Sequence, residues 1–272
     1  MPLSPTELRE LEAELERLEA LQSDLLDRSS NALTRRYAER LEEVQAEARR
    51  ALRDSEGGDA LELAQARLQV LGGAEAPLRA LWAAWRDDLD EMLDLLGQYH
   101  GLLGADLPVD RSTIEVLRGV WPSDRLPDGL VGQLYRLDEV AKSRVADVLT
   151  RSVIGRLPRD QAYRAMAEAA DRSVPRAKQL VHDGTMAFSR QVTALRTQDY
   201  EWFAYAGPKD EATRTFCNRL VGKILSRQEI DELDNGQTPD VFLTGGGYRC
   251  RHVWRPVRRD WYDDAAWAER RP

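Results

Sequence analysis

Residues 8–25 read LRELEAELERLEALQSDL, and their leucines follow the heptad spacing of a coiled-coil seam. Five of the six a and d positions in this stretch hold leucine: Leu8, Leu11, Leu15, Leu18 and Leu25. The sixth holds Gln22, which makes the seam imperfect in its last turns. The stretch predicts a long N-terminal helix with one apolar side. That side either packs inside the chain or joins a partner, including a second copy of this chain.

The apolar stripe changes phase after Leu25. Its later members are out of register with the seam: Leu33, Tyr37, Leu41, Val44 and Ala48. We therefore expect a kink, or a change of packing partner, near residues 27–31. Apolar spacing with Pro and Gly boundaries predicts further helices at 59–71, at 76–101, from 134 to near Gly155, at 158–171 and at 173–197.

The last quarter of the chain has a different character. Residues 200–205 are aromatic and strand-like. Ser226 and Glu229 have the spacing of a capping box, which predicts a short helix that stops at Asn235-Gly236. We predict a turn and a strand in 241–257. The predicted fold is thus α+β and predominantly α, in three regions: an elongated helical, coiled-coil region at 1–110, a helical region at 111–199, and a small α+β module with a basic tail at 200–272.

Composition and charge limit the possible functions. Charged residues make up 32% of the chain and aromatic residues 7%, a balance typical of helix-rich proteins. The formal net charge is -8, so the chain as a whole is not attracted to DNA or to an anionic membrane. No stretch approaches the roughly 18 apolar residues of a membrane-spanning helix, and the N-terminus lacks a secretory signal pattern. We expect a cytoplasmic protein with no membrane partner, in which Cys217 and Cys250 are reduced.

Familiar enzyme motifs are absent. Gly222-Lys223 does not end a phosphate-binding loop, because Cys217 and Ile224 stand where that loop needs Gly and Ser or Thr. Residues 231–242 do not form a calcium loop, since Phe242 stands where a bidentate Glu is needed. The three histidines lack the paired spacing of a zinc protease. We therefore predict that the chain is not an enzyme.

A series of residue types stands in order near the C-terminus: Tyr205, Gly207, Pro208, Asp210, Thr213, Arg214, Phe216, Cys217, Leu220, Gly222, Lys223, Ile230, Asn235, Gly236, 245–247, Tyr248, Cys250, Arg251, His252, Trp254 and Pro256. This order resembles the C-terminal motif of the Mu-type phage head morphogenesis family, the minor head proteins. The resemblance covers 202–257, about a fifth of the chain. The helices at 134–197 look like the region that precedes the motif, whereas 1–110 has no recognisable match.

The resemblance implies a protein carried in few copies inside the head of a tailed bacteriophage, near the portal. Its implied partners are the portal protein, the major capsid protein or both, met in the host cytoplasm during assembly. Its implied roles are in head assembly and genome packaging or delivery, without an enzymatic reaction. A non-specific DNA-binding accessory of the virion is the alternative function, and a metal-dependent hydrolase or toxin-related enzyme is a second. The motif residues with expected structural roles are Asp210, Arg214, Cys217, Gly222, Cys250 and His252.

Thiol and imidazole groups of the motif form a candidate metal site. Cys250 and His252 are two residues apart, so on a strand they face the same side, and Cys217 can join them across the fold. Asp210 is the candidate for a fourth ligand. One interpretation is a zinc site. The alternative is a module without a cofactor, in which the cysteines are buried core thiols or form a disulfide.

Basic and aromatic residues are interleaved in 241–262, where the arginines are Arg249, Arg251, Arg255, Arg258 and Arg259. Guanidinium groups can pair with phosphate oxygens and aromatic rings can stack on bases, so this arginine strip is a candidate contact for viral double-stranded DNA. The alternatives are a solvated strand face, ion pairs with the acidic helices, or contact with a portal protein. Nearby, we predict that Arg214 pairs with Asp210 and fixes their loop.

Overall fold

The computed structural model describes residues 3–54, 65, 67, 70–71, 75–105, 113–114, 129–154 and 158–272. Helices dominate this part of the chain: α1 (Pro5–Asp54), α2 (Glu75–Leu103), α3 (Gly129–Ile154), α4 (Arg159–Asp171), α5 (Val174–Arg196), α6 (Thr215–Leu220), α7 (Arg227–Asp231), α8 (Val241–Thr244) and α9 (Asp264–Arg270). The strands are β1 (Trp202–Ala206), β2 (Ile224–Ser226) and β3 (Val253–Val257). The predicted fold class, α+β and predominantly α, is confirmed. The helix predicted at 59–71 lies largely outside the described residues.

The chain divides into two compact units, and α1 contributes to both. The first unit comprises Met1–Arg28, Asp88–Arg118 and His182–Pro272, and the second comprises Ser29–Asp87 and Gly119–Val181. α1 continues as one helix where the units change, between Arg28 and Ser29. The change of packing partner expected at 27–31 therefore falls at this point. The sequence predicted a different division, into three consecutive regions at 1–110, 111–199 and 200–272. That division stays a prediction.

The leucine seam of α1 is buried inside the first unit. Leu15 and Leu18 are each 1% exposed, and they pack with Tyr99, Leu103 and Ala105 of α2 and the residues after it. At these positions the seam therefore packs within the chain, which is one of its two predicted uses. None of the described helices is both long and apolar enough to cross a membrane.

The three strands form one antiparallel sheet in the order β2-β1-β3. Tyr205 of the central strand lies opposite Trp254 of β3. Pro256 lies on β3, an edge strand, where the missing N–H of proline is tolerated. The strands predicted at 200–205 and within 241–257 correspond to β1 and β3. β2 was not predicted, because three residues are too few to display an alternating pattern.

The predicted capping box starts α7. The backbone N–H of Glu229 donates to Ser226 Oγ at 3.2 Å, and the Ser226 N–H donates to Glu229 Oε2 at 2.6 Å. The helix ends at Asp231, earlier than the predicted stop at Asn235-Gly236. Three other short helices, α6, α8 and α9, were not predicted.

Candidate metal centre

Four side chains from different parts of the first unit meet at the centre of the C-terminal module. Cys217 Sγ lies 3.9 Å from Cys250 Sγ, which lies 3.6 Å from His252 Nδ1. The hydroxyl oxygen of Tyr205 lies 3.5 Å from each sulfur. The candidate ligand atoms of the two cysteines and the histidine all lie within 4.8 Å of one another. All four residues are buried, at 1–3% exposure. We call Cys217, Cys250 and His252 the Cys/His cluster; its predicted members are brought together.

The glycines at 245–247 allow the backbone to approach the two sulfurs. The N–H of Gly246 donates to Cys250 Sγ at 3.0 Å. A Cβ at Gly246 would lie 2.3 Å from Cys217 Sγ, far inside contact distance. Gly245 and Gly247 have φ angles of 59° and 93°, and they lie within 241–257, where a turn was predicted. Glycine is therefore required at 246, because any side chain would clash with Cys217 Sγ. At 245 and 247 glycine is favoured by the positive φ angles.

His252 is oriented by its other ring nitrogen. Nε2 lies 2.8 Å from the carbonyl oxygen of Pro208, which can only accept, so Nε2 carries the proton. In the neutral ring Nδ1 then presents a lone pair on the side of Cys250. The ring of Tyr205 stacks on the imidazole, with centroids 5.2 Å apart and planes inclined by 10°. The imidazole is thus fixed in position and in its tautomer.

The two thiols are unbonded but interact. Their sulfurs are 3.9 Å apart, about twice the length of a disulfide bond, so the disulfide alternative does not apply to this structure. The hydrogen bond from Cys217 lowers the pKa of Cys250, and His252 and the charge of Arg190 lower it further against the effect of burial. The same hydrogen bond, followed by burial, raises the pKa of Cys217. Cys250 is therefore the sulfur that more readily becomes a thiolate.

Arg190 of α5 holds the backbone that carries two of the cluster residues. Its guanidinium donates to the carbonyl oxygens of Cys250 and His252 at 2.8 Å and of Leu243 at 3.3 Å. Arg190 is only 5% exposed. Arg190 was not predicted as a site residue, because α5 is buried on every side through 184–193 and has no exposed face there to contrast with an apolar one. The available signal was that Arg190 is the one charged residue in that ten-residue stretch.

Asp210 does not have the predicted partners. Its carboxylate accepts hydrogen bonds from Arg251 at 2.7 and 2.8 Å and from Thr213 at 3.0 Å. These hydrogen bonds, that from Arg251 first, lower the pKa of Asp210 to about 2. Asp210 is not part of the Cys/His cluster, so the structure contradicts its predicted role as a fourth ligand. The physical reason is that the guanidinium of Arg251 binds both oxygens of the Asp210 carboxylate.

Arg214 does not pair with Asp210 but fixes the glycine turn. Its guanidinium donates to the carbonyl oxygen of Gly246 at 3.3 Å and to that of Tyr248. Asn235 donates to the carbonyl oxygen of Gly245 at 2.8 Å. Arg214 and Asn235 therefore both donate hydrogen bonds to the backbone next to the Cys/His cluster.

Two further residues of 202–257, Gly222 and Arg249, have positive φ angles. Gly222 has a φ of 84°, and its N–H donates to the carbonyl oxygen of Tyr205 at 2.9 Å. Arg249 has a φ of 56°, in the left-handed region. Among non-glycine residues, Asn and Asp adopt this region more readily than Arg does.

Four residues of the arginine strip form ion pairs with carboxylates: Arg251 with Asp210, Arg255 with Glu19, Arg258 with Asp260 and Arg259 with Asp264. The Arg255–Glu19 pair is the most buried of these, with side chains 11% and 15% exposed and 2.8 Å between Nη2 and Oε1. Tyr99 donates to the same oxygen of Glu19 at 3.0 Å. At Arg255, the strip therefore pairs with the acidic helix α1, one of the alternatives left open by the sequence.

A cavity of about 540 Å³ also lies in the first unit. Its lining includes Glu12, Glu16 and Glu19 of α1 and the guanidinium-bearing Arg251 and Arg255. Cys217, Cys250 and His252 do not line it. Tyr205 does line it, so the side chain that contacts both sulfurs stands between the Cys/His cluster and the cavity.

No family model, curated protein or solved structure matches the chain at a significant level. The resemblance to the head morphogenesis family thus depends on the order of residue types in 202–257.

Proposed function

We propose that this chain is a minor head protein of a tailed bacteriophage, located inside the head near the portal. It contributes to head assembly and to genome packaging or delivery as a structural component, not as an enzyme. Its partners are the portal protein, the major capsid protein or both. The basis for the family is the ordered series of residue types in 202–257, and the basis for a structural role is the use that the fold makes of those residues.

The observation that carries the proposal is that the motif side chains close the C-terminal module. Cys217, Cys250 and His252 are buried against one another. Arg214 and Asn235 donate to backbone carbonyls of the glycine turn. A motif that binds substrate presents polar groups to an open cleft, whereas a structural motif satisfies them internally. The residues that carry the resemblance are of the second kind.

The pair most like a catalytic one is Cys250 with His252, and its surroundings argue against catalysis. Each residue is 3% exposed, and neither lines the cavity of the first unit. The second nitrogen of His252 faces a carbonyl oxygen, not a carboxylate. A metal-dependent hydrolase would need an open coordination position and a base beside it. Among the described residues, no carboxylate joins the Cys/His cluster.

The test is incorporation into heads made by the genome that encodes this chain. Heads are purified with the wild-type gene, with Cys250→Ser and with Arg176→Met, a control on an exposed position of α5. We expect the wild type and the control in purified heads at a few copies each, and loss of the Cys250→Ser protein because its module is destabilised. Wild-type protein that is abundant in the lysate but absent from heads would refute the proposal.

A further inference from the structure

We propose that Cys217, Cys250 and His252 bind one zinc ion, as a buried structural site of the C-terminal module. The inference concerns this chain's own geometry and does not depend on the phage assignment. Two thiolates and an imidazole are among the usual ligands of structural zinc.

The spacing of the ligand atoms fits a tetrahedral zinc ion. Zinc bonds of about 2.3 Å to sulfur and about 2.0 Å to nitrogen require a sulfur–sulfur separation of about 3.8 Å and a sulfur–nitrogen separation of about 3.5 Å. The structure has 3.9 Å between Cys217 Sγ and Cys250 Sγ, and 3.6 Å between Cys250 Sγ and His252 Nδ1. Two of the three separations therefore match those of a zinc site, and the candidate ligand atoms of all three residues lie within 4.8 Å of one another.

The hydrogen bonds around the candidate ligands are also those of a zinc site. Metal-binding histidines usually donate their other N–H to a carbonyl or carboxylate, which fixes the tautomer and the ring. Here His252 Nε2 donates to the carbonyl oxygen of Pro208 at 2.8 Å, leaving Nδ1 on the side of the sulfurs. The N–H of Gly246 donates to Cys250 Sγ at 3.0 Å, which stabilises a thiolate. Both contacts are made by residues within the module.

The fourth corner of the tetrahedron faces Tyr205. Its hydroxyl oxygen lies 3.5 Å from each of the two sulfurs. Zinc–oxygen bonds of about 2.0–2.2 Å would place an oxygen ligand about 3.5–3.7 Å from each sulfur. Tyr205 lines the cavity of the first unit but is only 1% exposed, so its side chain fills this corner and leaves no free position for a substrate. The site is therefore structural, since a catalytic zinc keeps an open position.

The test measures metal in the full-length protein purified without chelators. We expect one zinc per chain by elemental analysis. After removal of zinc, loading with cobalt(II) should give tetrahedral d–d bands and a thiolate-to-cobalt charge-transfer band. Wild-type protein that is folded, lacks zinc and gives no such cobalt spectrum when loaded would overturn the inference. Head incorporation is not a readout here, so this result and that of the proposed function are independent.

Substitution of the proposed ligands tests where the zinc ion binds. Cys217→Ser and His252→Gln should each lose bound zinc, whereas His182→Gln, a control on α5, should retain it. Loss of zinc from the wild type should lower its melting temperature. Zinc that persists in both cluster variants would place the ion elsewhere and overturn the assignment. If the variants do not fold, the cobalt spectrum of the wild type decides between thiolate ligation and its absence.

Discussion

The guanidinium of Arg190 donates twice to the carbonyl oxygen of His252, from Nη2 at 2.8 Å and from Nε at 3.2 Å. The two residues are 62 positions apart. The contact ties α5 to the segment before β3, on which Cys250 and His252 lie. The position of the Cys/His cluster therefore depends on a helix outside the motif.

Replacing Arg190 tests this dependence. Arg190→Met would leave the carbonyl oxygens of Leu243, Cys250 and His252 without their buried donor. We expect the free energy of unfolding to fall by about 3 kcal/mol, since hydrogen bonds to charged groups contribute roughly 1.5–3 kcal/mol each and do not add fully. Chemical denaturation measures it, with Arg176→Met as the exposed control. Equal stability of the two variants would contradict this role for Arg190.

The leucine seam offers a matched pair of substitutions on α1. Leu18 is 1% exposed, whereas Leu21 is 39% exposed. Leu18→Ala leaves a cavity beside Tyr99 and Leu103, so we expect a loss of about 2–5 kcal/mol. Leu21→Ala should change stability by less than about 0.5 kcal/mol. Similar losses in both variants would mean that the seam is not packed as described.

Features encoded within a few residues were predictable from the sequence. The leucine spacing of 8–25 predicted which side of α1 is buried, because a helix repeats its faces every few residues. Ser226 and Glu229 predicted the start of α7, because a capping box involves only one turn. The Cys/His cluster was also predicted, although its members come from distant positions, because few residue types can ligate zinc and Cys250 and His252 are close in sequence.

Partners of charged groups were not predictable in the same way. Asp210 was matched with Arg214, which is close in sequence, but it pairs with Arg251, 41 positions away. Which arginine reaches a carboxylate depends on how the strands and loops are packed, and the chain has many arginines of equal chemistry. For the same reason the ion pair between Arg255 and Glu19, which are 236 positions apart, could not be predicted from the sequence.

The ion pair of Asp210 predicts a dependence of stability on pH. Hydrogen bonds from Arg251 and Thr213 lower the pKa of Asp210 from 3.8 to about 2 in the folded protein. A lowered carboxyl pKa adds stability above the unfolded pKa, and this is lost as the pH falls through the folded pKa. The difference in unfolding free energy between wild type and Asp210→Asn should therefore be constant above about pH 5 and shrink towards pH 2.

Removing the partner provides the control for this prediction. In an Arg251→Met background, Asp210→Asn should have a much smaller effect at every pH, because the carboxylate has lost its strongest hydrogen bonds. Denaturation of the four proteins in a pH series gives the comparison. A wild-type difference that stays flat down to pH 2 would show that the pair does not stabilise the fold.

The arginine strip leads to a prediction about DNA. Among the strip residues with an ion pair, Arg258 and Arg259 have the most exposed side chains, at 56% and 42%. Each of them already forms an ion pair with a carboxylate. We therefore expect the Arg258→Ala/Arg259→Ala protein to bind duplex DNA no more weakly than the wild type. Arg255 is left intact, because it is buried against Glu19.

A salt series distinguishes the outcomes. If these two arginines neutralised phosphates, each removal would lower the slope of log affinity against log salt concentration by about 0.9. We expect the slope to be the same for both proteins. A slope reduced by that amount for each arginine would instead support the DNA-binding accessory.

The central structural claim is that 202–257 forms a closed centre around Cys217 and Cys250, and thiol accessibility tests it most directly. The full-length native protein is treated with a thiol reagent, and the reaction is repeated in denaturant. We predict that both thiols are protected in the native protein and that both react once it is unfolded, because they are 1% and 3% exposed. Either thiol reacting in the native protein as fast as in the unfolded chain would contradict the closed centre and the structural role built on it.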